Sequence, residues 1–341
     1  MTIRGLLRCL CPLLALAAAL STGVPAAAQP FLKFSLDGRI DGEATPYLLA
    51  LDRGYLKAEG LDVSIDPAAG PHETLTRVAS GTYDLGVVDI NALIRYRDQN
   101  PGVAMPAVFM VYNRPAFAVL ARRSRGINGP RDLDGKRVGA SAADGSLAYF
   151  RIFARLNDID AARLRLETVA LPVREPMLAA GQVDAISATT FTAIDLTARG
   201  VPADDIAVLP MADYGVELYG QAIIASPRLA AERGDTVRAF LRAFVEALKD
   251  TVRDPGRAVE VVVKRIDGQP RARELERLEM ALKGNILTSE VRANGFGTIE
   301  PARFARAIDQ LAFSYEFRAK SKAVDVFEPS YLPPKADRMP P

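Results

Sequence analysis

The stretch SLDGRIDGEATP, residues 35–46, sets Asp37, Arg39, Asp41 and Glu43 between an apolar run and a helix-like one. Carboxylates accept hydrogen bonds from amino and amide groups, and a guanidinium grips an acid with a rigid fork. One acid is accounted for as a helix cap, a role that contributes only ~0.3–1 kcal/mol. Four charges in one loop need a further use, and a ligand supplies one.

Four later loops offer partners for that chemistry. VVDINA places Asp89 and Asn91 after an apolar run, with Asp89 equally suited to capping the next helix. GASAADGS sets Ser141, Asp144 and Ser146 at a strand-to-helix turn. Free backbone N–H groups there suit an oxyanion, although the Asp144 carboxylate opposes one. SATTFTA adds Thr189 and Thr190, DYGVELYG adds Tyr214, Glu217 and Tyr219, and Arg114 and Arg174 stand at strand ends. The candidate acids outnumber the candidate bases. A small ring or chain bearing amino or amide donors, stacked on Tyr or Phe, is therefore the expected guest, ahead of a bare oxyanion.

Other chemistries find little support. His72 is the only histidine, and GASAADGS lacks the lysine of a phosphate-binding nucleotide loop. No catalytic residue, metal or cofactor is expected. Nucleic acid is not an expected partner, because basic and acidic residues nearly balance and form no basic tract.

Residues 1–28 carry Arg4 and Arg8, an apolar run over 10–20 and the small-residue stretch Ala26-Ala27-Ala28. This pattern predicts a secretory signal peptide cleaved near Ala28, and hence an exported protein. Cys9 and Cys11 are the only cysteines and would leave with it.

The elements that must position the loops alternate between short apolar runs and amphipathic stretches. Strands are predicted at 31–36, 61–65, 84–88, 108–112, 117–121, 136–140, 165–169, 185–188, 206–209 and 221–225. Helical segments separate many of them, which argues for a mostly parallel sheet covered by helices. Val237, Phe240, Leu241, Phe244 and Leu248 recur at helical spacing, as do Phe304, Ile308 and Leu311, and both stripes predict core. The tail from Pro329 holds five prolines and is expected to be extended and loose.

PYLLALDRGYLKAEGLDVSI, RVASGTYDLGVVD, RDLDGKRVGAS, LAAGQVDAI and VRAFLRAFVEALKDTVRDPGRAV follow in a characteristic order. Together they resemble the SsuA-like and thiamine-pyrimidine-precursor family of periplasmic binding proteins of ABC importers. The resemblance implies an α/β protein of two lobes joined by two hinge crossings, a type II periplasmic binding protein, each lobe a mostly parallel sheet flanked by helices. Lobe 1 would hold residues 31–122 and 216–335, and lobe 2 residues 123–215. The ligand would lie between them, beyond the carboxyl ends of the strands. The implied function is capture of a small polar organic ligand, such as an aminopyrimidine-type thiamine precursor, and delivery to an ABC permease in the inner membrane by a periplasmic monomer. The alternatives are an alkanesulfonate- or nitrate-type oxyanion, or a thiamine-pyrimidine synthase on the same fold. In the synthase branch a Lys and a His follow the third strand and a cysteine cluster lies near the second crossing. Residues 88–92 and 215–220 provide none of these, so the chain is expected not to be an enzyme.

Overall fold

A computed structural model of the chain describes residues 31–160, 163–319 and 322–341. The expected signal peptide lies outside the described residues. Among the described residues, ten strands are found where the apolar runs predict them: β1 (Phe31–Ser35), β2 (Asp62–Asp66), β3 (Leu85–Asp89), β4 (Ala107–Met110), β5 (Phe117–Arg122), β6 (Arg137–Ala140), β7 (Arg165–Thr168), β8 (Ala185–Thr189), β9 (Ile206–Pro210) and β10 (Gln221–Ala225). They form two five-stranded sheets, ordered β2-β1-β3-β10-β4 and β7-β6-β8-β5-β9. In each sheet the strand in fourth place runs against its neighbours, and the other neighbour pairs are parallel. That strand is β10 in the first sheet and β5 in the second, each having just arrived from the other sheet.

This corrects one expected boundary. The strand at 117–121 is expected in lobe 1, but β5 pairs with β8 and β9 in the second sheet. The first crossing therefore precedes β5, and the second joins β9 to β10. The two crossings touch: the Gly220 N–H donates to the Tyr112 carbonyl at 2.9 Å. A Cβ on Gly220 would lie 2.9 Å from the Tyr112 Cβ, so glycine is needed for that approach.

Arg303, on the helix Pro301–Leu311, fastens both crossings. Its guanidinium donates to the backbone carbonyls of Asn113, Glu217 and Leu218 and forms an ion pair with Glu290 at 2.9 Å. The same cation lies 4.0 Å from the centre of the Tyr219 ring.

The predicted helical stripes are core. The helix Gly234–Arg253 turns Phe240 and Phe244 under the first sheet, where Phe34 stacks on Phe240 at 5.4 Å and Phe109 meets Phe244 edge-on at 5.3 Å. Burying such a ring stabilises by roughly 1.5–3 kcal/mol. Phe304, Ile308 and Leu311 are buried in a second cluster that includes residues of both sheets.

The C-terminal tail is docked, not loose. Glu328 donates its N–H to the Ala107 carbonyl at the edge of the first sheet. Buried Arg338 donates to the carbonyls of Pro333 and Phe296, and the Phe296 N–H returns a bond to Arg338. The tail is thus a strap with two short turns, Pro329–Tyr331 and Lys335–Arg338, fixed to the body of the protein by these bonds.

Candidate functional site

A cavity of about 790 Å³ opens between the two sheets, within the size range of small-molecule sites. Its lobe-1 wall begins with the loop after β1. Asp41 caps the short turn Gly42–Ala44 by accepting the Glu43 N–H at 3.1 Å, and that turn leads into the helix Thr45–Asp52. The turn lies flat on the helix Arg271–Ala281: Glu274 Oε2 accepts the Gly42 N–H at 2.7 Å. A Cβ on Gly42 would stand 2.2 Å from the Glu274 carbonyl oxygen, so only glycine permits this packing. The loop is thereby held with Asp37, Arg39, Asp41 and Glu43 all lining the cavity.

Asp89, at the end of β3, lines it too. It both caps and faces the cleft: one oxygen accepts the Asn91 and Ala92 N–H groups, and the other accepts the Tyr149 hydroxyl at 2.7 Å. Tyr149 belongs to the helix Ser146–Leu156 beside the second sheet, so this bond ties the lobes together. Phe117 stacks on the Tyr149 ring at 4.1 Å and presents an aromatic surface to the cavity.

Four carboxylates in one partly dry wall repel one another, and burial disfavours their charged forms. Burial pushes the Asp37 carboxyl up to about 7, with the Asp41 and Asp89 charges adding to the rise. Burial raises Glu43 well above its usual range, and Asp41 and Asp37 push it the same way. Burial also raises Asp41, against the pull of Arg277 and Arg39, and raises Asp89 against its hydrogen bond from Tyr149. Neutral donors soften the wall: Gln221 Nε2 donates to Asp37 at 3.1 Å and the Tyr112 hydroxyl to Glu43 at 2.9 Å. The buried Tyr47 hydroxyl has no hydrogen-bond partner, and burial raises its pKa well above the ordinary value.

The lobe-2 wall is differently built. Asp144, Arg174 and Thr189 line the cavity as expected. Arg174, however, is buried and committed: it bonds Asp144 at 2.6 Å and Glu175 at 2.8 Å. Three of the turn's backbone N–H groups are bonded within the turn itself. Ser141 N–H bonds the Ser146 hydroxyl, Ala143 N–H bonds the Ser141 hydroxyl, and Ser146 N–H bonds Asp144. Ser141 and Ser146 are buried in this turn and do not face the cavity.

Five further expected residues lie away from it. Asn91 is buried, donating to the Tyr149 hydroxyl and the Tyr219 carbonyl. Thr190 does not line the cavity, and its N–H bonds the carbonyl of Ala116, which does. Tyr214 packs edge-on against Phe153 and borders a separate surface groove. Glu217 forms an ion pair with Arg306 at 2.6 Å at the surface. Tyr219 is fully buried beneath Arg303 with its hydroxyl on Glu290. The sequence leads one to expect ligand contacts at the second crossing, whereas its side chains brace the hinge. Arg114 likewise leaves the site for an ion pair with Asp213.

The cavity also gathers groups not expected there, among them Tyr47, Tyr112, Phe117, Asp195, Arg199, Gln221 and Arg273. Tyr47 carried a signal only as part of an apolar helix face, and Phe117 only as a strand residue. Among the described residues no group of three or more His, Cys, Asp and Glu is arranged to hold a metal ion. No helix among them is long and apolar enough to cross a membrane.

The profile of the NMT1/THI5-like family matches residues 41–258, more than half of the chain. The chain belongs to the NMT1/THI5-like family. It is 25% identical over 230 residues to a 4-amino-5-hydroxymethyl-2-methylpyrimidine phosphate synthase of Schizosaccharomyces pombe, covering 62% of this chain and 64% of that one. It is 24% identical over 220 residues to a formylaminopyrimidine-binding protein of Halalkalibacterium halodurans, covering 64% and 66% of the two chains. The chain thus spans less than two thirds of the length of both relatives. Its structure superposes on the periplasmic aliphatic sulphonate binding protein SsuA of Escherichia coli with a TM-score of 0.70, at 17% identity, over 89% of this chain and 94% of that one. That likeness establishes the two-lobed α/β periplasmic-binding-protein fold.

The expectation that the chain is not an enzyme is overturned. Two further relatives carry the same synthase name, at 22% and 25% identity, so the kinship runs to enzymes as well as to binding proteins.

Proposed function

We propose that the protein captures a small polar organic ligand bearing amino or amide N–H donors, of the aminopyrimidine class, in the cleft between its lobes. On this reading it is exported to the periplasm and delivers the ligand to an ABC importer. The observation that carries the ligand class is the acidic wall itself: Asp37, Asp41, Glu43 and Asp89 line one cavity beside an unpartnered Tyr47 hydroxyl. Exocyclic amino groups and protonated ring nitrogens donate to such acceptors, and Phe117 and Tyr112 offer ring faces for a flat heterocycle. Anions are the poorer guests. Arg174 is neutralised by Asp144 and Glu175, and the Ser141, Ala143 and Ser146 N–H groups of the turn that would have received an oxyanion are bonded within it, beside the Asp144 carboxylate.

The test is calorimetric titration of the purified protein with 4-amino-5-hydroxymethyl-2-methylpyrimidine, taurine and nitrate. Heat with the aminopyrimidine alone is expected. A hundredfold excess over Kd then stabilises the fold by ~2.7 kcal/mol. Binding of taurine or nitrate without the aminopyrimidine would overturn the assignment.

A further inference from the structure

Arg277 stands where the two lobes meet and is only 3% exposed. Its Nη2 donates to Asp195 Oδ1 at 3.1 Å, across the cleft on the helix Thr192–Ala198. Its Nε makes no hydrogen bond. That edge instead looks back at its own lobe, 3.9 Å from Asp41 Oδ2 and 3.8 Å from Glu274 Oε2. Glu274 is 1% exposed, with one oxygen given to Gly42 and the other unpartnered. A single fixed cation is thus shared between acids of lobe 1 and one acid of lobe 2.

We propose that Arg277 and Asp195 form a latch whose strength is set by the group bound at Asp41, so that the cleft shuts preferentially on ligands presenting N–H donors there. The inference rests on the reading of the cleft as a ligand site and adds the residues that select the ligand. The physical reason is competition for one charge. In the empty cleft Asp41 competes with Asp195 for the position of this one guanidinium, its Oδ2 standing 3.9 Å from an Nε that makes no hydrogen bond. Donors on a ligand satisfy the Asp41 carboxylate by hydrogen bonding and leave the guanidinium to settle on Asp195. A ligand of the same shape without the donors gives no such release.

The element that carries the latch also reaches the hinge. The helix Arg271–Ala281 continues into a wider turn, Leu282–Ile286. There the Asn285 carbonyl accepts the Arg114 N–H, and Asn285 Nδ2 donates to the Arg114 carbonyl, both at 3.1 Å. Latch and first crossing are therefore gripped by one continuous stretch of chain, which suits coupling between closure and hinge angle.

The test compares the wild type with Asp195→Asn. Asp195 is partly exposed, so this variant is expected to fold, and its melting curve verifies that. Two probes are titrated: 4-amino-5-hydroxymethyl-2-methylpyrimidine and the same ring without its amino group, 5-hydroxymethyl-2-methylpyrimidine. Losing one partner of a part-buried charge pair is expected to weaken the amino probe about tenfold, and the other probe by no more than about twofold. Equal weakening of both probes, or of neither, overturns the latch. If neither probe binds the wild type, the ligand reading fails and the latch is judged alone by small-angle scattering of the ligand-free proteins. A larger radius of gyration in Asp195→Asn then upholds it, and an unchanged radius overturns it.

Discussion

Replacing Asp37 by Asn should stabilise the ligand-free protein at alkaline pH and leave it unchanged in acid. The folded carboxyl holds its proton up to about 7, whereas its ordinary value is 3.8. Between those values the folded state binds more protons than the unfolded one. Stability contributed by this group is therefore full at low pH, falls as pH rises, and is lost above about 7. The displacement corresponds to about 4 kcal/mol at most. Water entering the open cleft screens part of it, which leaves ~2 kcal/mol as the working figure. Asparagine keeps the oxygen that accepts from Gln221, so the substitution removes charge without orphaning that donor. It also relieves Glu43, which the Asp37 charge pushes up. Calorimetric melting of both proteins in matched buffers reads the difference directly, and ~2 kcal/mol is on the order of 4 °C for a chain of this size. The variant should melt higher at pH 8, and the two curves should converge near pH 4. Coincident melting at pH 8, or a gap that widens toward acid, would refute the account of a strained acidic wall. The same variant should lose affinity for the aminopyrimidine, since the strain relieved in the empty protein is what a donor-bearing ligand would otherwise relieve.

Arg303→Met should lower stability by ~3–5 kcal/mol in urea unfolding, because it leaves Glu290 without its cation and three crossing carbonyls without their shared donor. Glu217→Ala should leave ligand affinity within about twofold of wild type in calorimetric titration, since its carboxylate faces Arg306 at the surface, an ion pair worth at most ~1 kcal/mol.

The sequence by itself determined the architecture. Each of the ten strands was legible because its apolar run is local and bounded by turn residues, and because helical stripes such as Val237 to Leu248 repeat at a spacing only a buried helix face explains. The loop after β1 was legible as a site for a related reason: four charges in seven residues are conspicuous without any partner being known. What these loops do to one another was decided by tertiary structure. The GASAADGS turn reads as open to an anion in sequence, whereas in the fold the Ser146 hydroxyl and the Asp144 carboxylate accept two of its N–H groups and Asp144 also pairs with Arg174. Tyr219 and Glu217 looked like ligand contacts until the helix Pro301–Leu311 was placed behind them. Hydrogen bonds and charge pairs act over a few ångströms, whereas Asp41, Tyr112, Asp195, Gln221 and Arg277 are scattered over more than two hundred residues of chain. Only the crossing of the chain from one sheet to the other and back brings them to one cleft, and only there does it become clear which charges are committed and which remain for a ligand.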